Sequence, residues 1–200
     1  MAGQGIADIG PSRRTVMAGL PLAAAGMAGS VLALFPAEAP AEAIPAPARP
    51  EDAAFMREAL VLAEQSNHPY GAVITRGAEV LARGRNQVAE ASDPTAHAEM
   101  TAIRSFLAER GPDGMRGATI YATVEPCMMC MGAILWCGFG RVVYGASLDD
   151  LSPYMGRGTI SAQETASQTL FLKVELTGGV LAAESVALFE QRKDLFKWHK

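Results

Sequence analysis

Cysteine is scarce in this 200-residue chain, with three in all: Cys127, Cys130 and Cys137. That number supports no disulfide framework. Positive charge is scarce as well. Seventeen Lys and Arg stand against 21 Asp and Glu, for a net charge of −4. A mildly acidic chain lacks the electrostatic footprint of a nucleic-acid-binding domain. Basic residues gather only at the end, from Arg192 to Lys200, where lysines complement the dipole of a helix terminus. No internal repeat is evident, which sets aside solenoids and propellers.

Against that background two short motifs stand out, His97-Ala98-Glu99 and Pro126-Cys127-Met128-Met129-Cys130. One His and two Cys make a three-ligand set for zinc. A catalytic zinc keeps three protein ligands and one open position, where it lowers the pKa of bound water to about 7. The expected ligands are His97, Cys127 and Cys130, holding one zinc per chain. The C-x-x-C spacing suits the first turn of a helix, with Pro126 at its first position. Helix N-termini favour negative charge and so favour thiolates. His97 is expected at a second helix start, with Asp93 as N-cap and Pro94 as first helical residue. Met100, Ile103, Phe106 and Leu107 then recur at helical spacing. Glu99 is the expected general acid/base, taking a proton from water and passing it to a ring nitrogen and to departing ammonia. The pattern H-x-E…P-C-x-x-C is the known signature of zinc deaminases.

Other chemistries remain open for these residues. A structural zinc needs four closed protein ligands. Cys137 lies seven residues past Cys130, about 10 Å along a helix and too far to share the metal. It reads as a small apolar residue. His68 and His199 are possible fourth ligands without supporting spacing. A dithiol redox site would use Cys127 and Cys130 and leave His97 and Glu99 idle. Met128, Met129 and Met131 suggest soft copper ligands, although methionines on a helix more often pack.

The stretch Ser92-Asp93-Pro94-Thr95-Ala96-His97-Ala98-Glu99-Met100-Thr101-Ala102-Ile103-Arg104 closely resembles the cytidine/deoxycytidylate deaminase superfamily. So do Val124-Glu125-Pro126-Cys127-Met128-Met129-Cys130-Met131-Gly132-Ala133-Ile134-Leu135-Trp136 and Tyr70-Gly71-Ala72-Val73-Ile74. Within it the chain is most similar to bacterial guanine deaminases, tRNA adenosine deaminases and related nucleoside deaminases. The resemblance implies zinc on His97, Cys127 and Cys130, and a proton shuttle at Glu99. It also implies substrate hydrogen bonds from Asn86 and from the backbone N–H of Ala98. Asn86 reads equally as a turn residue after a strand. The family often forms dimers, so a homodimer is expected. Two positions depart from the pattern. Met128 stands where the family usually has proline. Ser152-Pro153-Tyr154-Met155-Gly156-Arg157-Gly158 stands where bacterial guanine deaminases carry Gly-Phe-Asp-Asp, and Asp149 and Asp150 do not align with it.

The first 43 residues read as an address. Ser12-Arg13-Arg14-Thr15-Val16-Met17 precedes an uncharged stretch, Thr15 to Phe35, and then a run rich in Ala, Pro and Glu. This is the layout of a twin-arginine export signal, implying the twin-arginine machinery as partner and a periplasmic destination. Ala41-Glu42-Ala43 is the expected cleavage site. The alternative is an uncleaved membrane anchor, since 21 residues are enough to span. Gly19, Pro21, Gly26, Gly29 and Ser30 favour a signal. Removing residues 1–43 takes away Arg13 and Arg14 with Asp8, Glu38 and Glu42, leaving 157 residues and a charge of −3. Residues 44–50 read as a Pro/Ala-rich flexible or extended leader, and 51–200 as one deaminase domain.

That domain reads as three-layer α/β/α, with a mixed five-stranded sheet. Helices are expected at 51–66, after His97, after Cys127, at 161–167 and at 181–198. Strands are expected at 71–75, 79–86, 118–123, 141–144 and 170–176. The expected function is zinc-dependent deamination of a free base or nucleoside, a purine such as guanine first. The alternative is adenosine deamination in tRNA; a redox dithiol or a non-catalytic zinc domain stands further off.

Overall fold

The computed structural model describes residues 43–156, 160–169 and 173–199. The export signal, apart from Ala43, lies outside the described residues. No helix among those described is long and apolar enough to cross a membrane.

The described residues begin with β1 (Ala43–Pro45) and α1 (Asp52–Glu64), then β2 (Gly71–Arg76), β3 (Glu79–Arg85), α2 (Val88–Ala91) and α3 (Ala98–Arg110). After β4 (Thr119–Val124) come α4 (Met128–Cys137), β5 (Arg141–Ala146), α5 (Ser152–Met155) and α6 (Ala162–Ser167). It closes with β6 (Val174–Thr177), α7 (Ala182–Gln191) and a kinked 3-10 segment, Lys193–His199. The six described strands form one mixed sheet in the order β1-β6-β5-β4-β2-β3. β3, β2 and β4 pair antiparallel, whereas β4, β5, β6 and β1 run parallel.

Strand alternation sorts the apolar side chains into two cores. Ala72, Ile74, Ile120 and Val142 face α3, α4 and α6, against Ala102, Ile103, Phe106, Met131, Ile134 and Ala166. Val73, Tyr121 and Val143 face the other way, against Met56 and Ala59 of α1. That is the expected three-layer sandwich. A methyl group on Gly84 would collide with the backbone of Ala98 and Ala102, and one on Gly71 with that of Ala59 and Ala63. The missing side chains let α3 and α1 sit directly on β3 and β2.

The sixth strand is the difference from the expected five. The leader was read as flexible or extended; it is extended and tied down. Ile44 pairs with Glu175, and the Ala46 N–H donates to the Leu176 carbonyl at 2.8 Å. Arg49 pairs with Glu175 at 2.6 Å. Ala43, the residue before the expected cut, is buried in register with Val174. Alanine and proline offer little periodicity, so a three-residue edge strand leaves no pattern to read. The final helix also ends earlier than expected, at Gln191, and the last strand is shorter, with residues 170–172 outside the described set.

Candidate active site

Two of the three expected ligands occupy the same backbone station. His97 is the N-cap of α3 at φ −65°, ψ 162°, and Cys127 is the N-cap of α4 at φ −63°, ψ 166°. Neither side chain caps its own helix. The ring and the thiol turn away from the first helical turn, toward one point between the two helices. This corrects the expected helix starts at Pro94 and Pro126. Asp93 does cap, but it caps the turn before α3. Its Oδ1 accepts from the Thr95 N–H at 2.8 Å, and its Oδ2 accepts from Arg104 at 3.0 Å. That turn delays the helix until after the ligand, leaving His97 extended.

Cys130, one turn into α4, completes the set. His97 Nδ1 lies 3.7 Å from Cys127 Sγ and 3.6 Å from Cys130 Sγ. All three donor atoms lie within 4.8 Å of one another. A tetrahedral zinc, with Zn–S of about 2.3 Å and Zn–N of about 2.0 Å, places neighbouring ligands about 3.6 Å apart. The donor set and its spacing therefore fit zinc. Among the described residues no fourth His, Cys, Asp or Glu joins the set. Cys137 packs half-buried against the core, where burial pushes its thiol up. His68 lies against Phe196, its ring centroid 5.7 Å away, and the side chain of His199 lies outside the described residues.

The local electrostatics separate the two thiols. Hydrogen bonding from Cys130, helped by His97, outweighs burial and pulls Cys127 down to about 4. Cys130 is pushed up by the same bond to Cys127, with burial adding to it. His97 is raised mainly by its hydrogen bond to Cys127. Glu99 is buried, and burial above all pushes its carboxyl up; the charge on Cys127 adds to this, against its own helix backbone.

Glu99, His97 and Cys127 open onto a cleft of about 410 Å³ at the ends of β3 and β4. Ligand pockets of open α/β sheets sit at such strand ends, at this size. Asn86 lines the cleft, and its Oδ1 also accepts from the Val88 N–H at 3.3 Å. Asn86 thus both holds the turn after β3 and lines the cleft. Ala98, buried at the first position of α3, lies between His97 and Glu99.

The remaining walls come from residues the motifs do not mark. They are His68 and Tyr70 before β2, Val88 and Pro94, Val124 and Glu125 before the Cys turn, Leu148 and Met155 after β5, and Phe196 from the C-terminal segment. Tyr70 and Glu125 fall inside the stretches that resemble deaminases, beside the ligand motifs rather than in them. Phe196 does not. It stacks on Phe189 at 5.2 Å, and no local pattern announces a chain end folded back over a distant cleft. Asp150, which does not align with the guanine-deaminase pattern, is spent locally: its Oδ2 accepts from the Ser147 N–H and hydroxyl.

Comparison with known proteins adds the following. The family model for the cytidine and deoxycytidylate deaminase zinc-binding region matches residues 49–146. The chain is 34% identical to the tRNA-specific adenosine deaminase of Streptococcus pyogenes serotype M18 over 144 residues, 70% of this chain and 88% of that one. It is 39% identical to the guanine deaminase of Bacillus subtilis over 101 residues, 48% of this chain and 65% of that enzyme. The guanine deaminase of Nitrosomonas europaea has the same fold, with a TM-score of 0.64 at 23% identity, covering 78% of this chain and 91% of that one.

Proposed function

Since the chain belongs to the cytidine and deoxycytidylate deaminase family, whose members are zinc-binding enzymes acting on C–N bonds, we propose that it deaminates a free nucleobase or nucleoside, with a purine such as guanine favoured. One observation carries the reading. The His/Cys/Cys set, Glu99 and Asn86 converge on a single cleft sized for a small molecule. The acidic net charge of −4 points the same way.

Zinc bound to His97, Cys127 and Cys130 supplies a Lewis acid that makes water nucleophilic near neutral pH. The rest is the work of this chain. Glu99 accepts a proton from the water, passes it to the ring nitrogen beside the amidine carbon, and returns a second to the leaving amine. The C–NH2 bond breaks as C=O forms, and ammonia departs. A buried carboxyl with a raised pKa is suited to holding that proton. Asn86 offers the base edge one donor and one acceptor. The N–H of Ala98, at the first position of α3, is the second substrate donor in this reading. Val88, Leu148, Met155 and Phe196 supply apolar walls for the ring.

The test is ammonia release by the zinc-loaded domain from a panel of purine and pyrimidine bases and nucleosides. Turnover of at least one is expected. A second reading, adenosine deamination in tRNA, is favoured by the match over 88% of the streptococcal enzyme. Turnover of an anticodon stem-loop with silence across the panel would establish it instead. The family's dimeric habit extends the proposal to a homodimer. On α4, Met128 and Trp136 are 52% and 78% exposed, so apolar surface is available to a second copy. The same preparation should sediment as two chains.

Export completes the proposal. With Arg13-Arg14 as the twin-arginine pair, the double variant Arg13→Lys, Arg14→Lys should leave active protein in the cytoplasmic fraction. Undiminished periplasmic activity of that variant would remove the export reading. The route suits the site, because folding and metal loading precede an oxidising compartment in which bare Cys127 and Cys130 risk a disulfide.

A further inference from the structure

Glu125 is a buried carboxylate that the chemistry above leaves without a task. It follows β4 and precedes Pro126 and Cys127, and its side chain lines the cleft. Its two oxygens are spent on backbone N–H groups far along the chain. Oε2 accepts from Leu148 at 3.0 Å, and Oε1 accepts from Ala162 at 2.7 Å. Its own N–H donates to the Ala146 carbonyl at 2.8 Å. Leu148 opens the connection after β5, and Ala162 is the first residue of α6. One side chain therefore ties both ends of the 147–162 connection to the turn that carries Cys127.

The described stretch from Ser147 to Gly156 forms a wall of the cleft. Leu148 and Met155 both line it. The Tyr70 hydroxyl donates to Met155 Sδ, so the same wall is braced from the residue before β2. Tying such a segment at both ends fixes how far its apolar side chains stand from the metal-binding turn. A carboxylate suits the task, since it accepts at both oxygens with charge-assisted strength and never donates. Its burial is tolerated because both oxygens are satisfied.

We propose that Glu125 is a positioning residue for substrate, one that sets the Leu148–Met155 wall relative to Cys127 and takes no part in proton transfer. This rests on the reading of the cleft as a base or nucleoside deaminase site. Glu125→Gln is nearly isosteric, but an amide accepts at only one end, so one tie is lost while the fold stands. Ala162→Pro removes a single donor, at a first helical position where proline belongs.

Three readouts separate the possibilities. In the wild type, amide exchange at Leu148 and Ala162 should be slow, and Glu125→Gln should speed at least one of them about tenfold or more. Zinc content should stay at one per chain in both variants. For guanine, or whichever panel base the wild type turns over, KM should rise about tenfold with kcat changed less than threefold, the size of one lost charge-assisted hydrogen bond. Rapid exchange of both amides in the wild type would overturn the proposal. So would a fall in kcat at constant KM, which would place Glu125 in the chemistry. If the wild type turns over no base or nucleoside, the functional reading fails, and the exchange data still decide whether Glu125 holds the wall.

Discussion

Replacing Glu99 by alanine is expected to lower kcat by about 10³-fold or more and to leave zinc at one per chain. General acid–base catalysis by a positioned side chain is worth about 10²–10⁴-fold, and here one carboxyl serves in several successive proton transfers. No other described acid is buried beside the His97–Cys127 pair in the same way, because Glu125 spends both oxygens on backbone N–H groups. The metal should be indifferent to the change, since the donor atoms are those of His97, Cys127 and Cys130. Zinc measured alongside single-turnover rates checks both halves. Full activity in Glu99→Ala would end the mechanism, and loss of zinc with activity would make Glu99 a structural support.

The second large effect lies on the far side of the sheet. Asp52 and Arg141 are both buried, and their side chains meet in two contacts, Oδ1 with Nη1 at 2.6 Å and Oδ2 with Nη2 at 2.8 Å. Asp52 also accepts from the Arg49 N–H at 2.7 Å and the Tyr121 hydroxyl at 3.0 Å. Arg141 extends the network to Thr177 at 2.9 Å. Removing one partner of such a pair strands a buried charge and costs about 3–5 kcal/mol. Against a typical domain stability of about 5–15 kcal/mol, Asp52→Asn should shift the urea midpoint far down.

The pH dependence of that loss has a definite sign. Burial resists ionisation of Asp52, but Arg141, the Arg49 N–H and Tyr121 together win and hold its carboxyl below the usual carboxylate value. A depressed folded pKa means stability that is fully present above about pH 4, the unfolded value, and lost as pH falls through the lower folded value. The gap between wild type and Asp52→Asn should therefore be constant near neutrality and narrow in acid. A gap that stays constant down to pH 3 would show that the pair contributes nothing through its charge.

What could be read from the sequence, and what could not, divides along sequence separation. α1, α3 and α4 carry their apolar faces within a dozen residues, and the ligand motifs lie at the starts of two of these helices. Those features are local, and they were legible. Helix starts were harder. Asp93-Pro94 has the composition of a cap, yet Thr95 and Arg104 draw Asp93 into a separate turn. The cleft walls were harder still. Leu148, Met155 and Phe196 reach the site through long-range packing, and Glu125 is understood only through amides at positions 148 and 162. The resemblance to deaminases supplied Asn86 and Ala98, which spacing alone would not have singled out.

The leader strand has a consequence for how these molecules meet one another. Alternate residues of a strand turn their N–H groups to opposite sides. Ala46 turns its own toward Leu176 of β6, so position 45 faces outward, and it is a proline with no N–H to offer. The carbonyl of Pro47 is already engaged by Arg141 at 3.3 Å. A strand approaching from a neighbouring molecule finds no donor at that station. The proline blunts this edge of the sheet, as edge prolines do elsewhere. Strand-on-strand pairing between copies is thereby disfavoured at position 45.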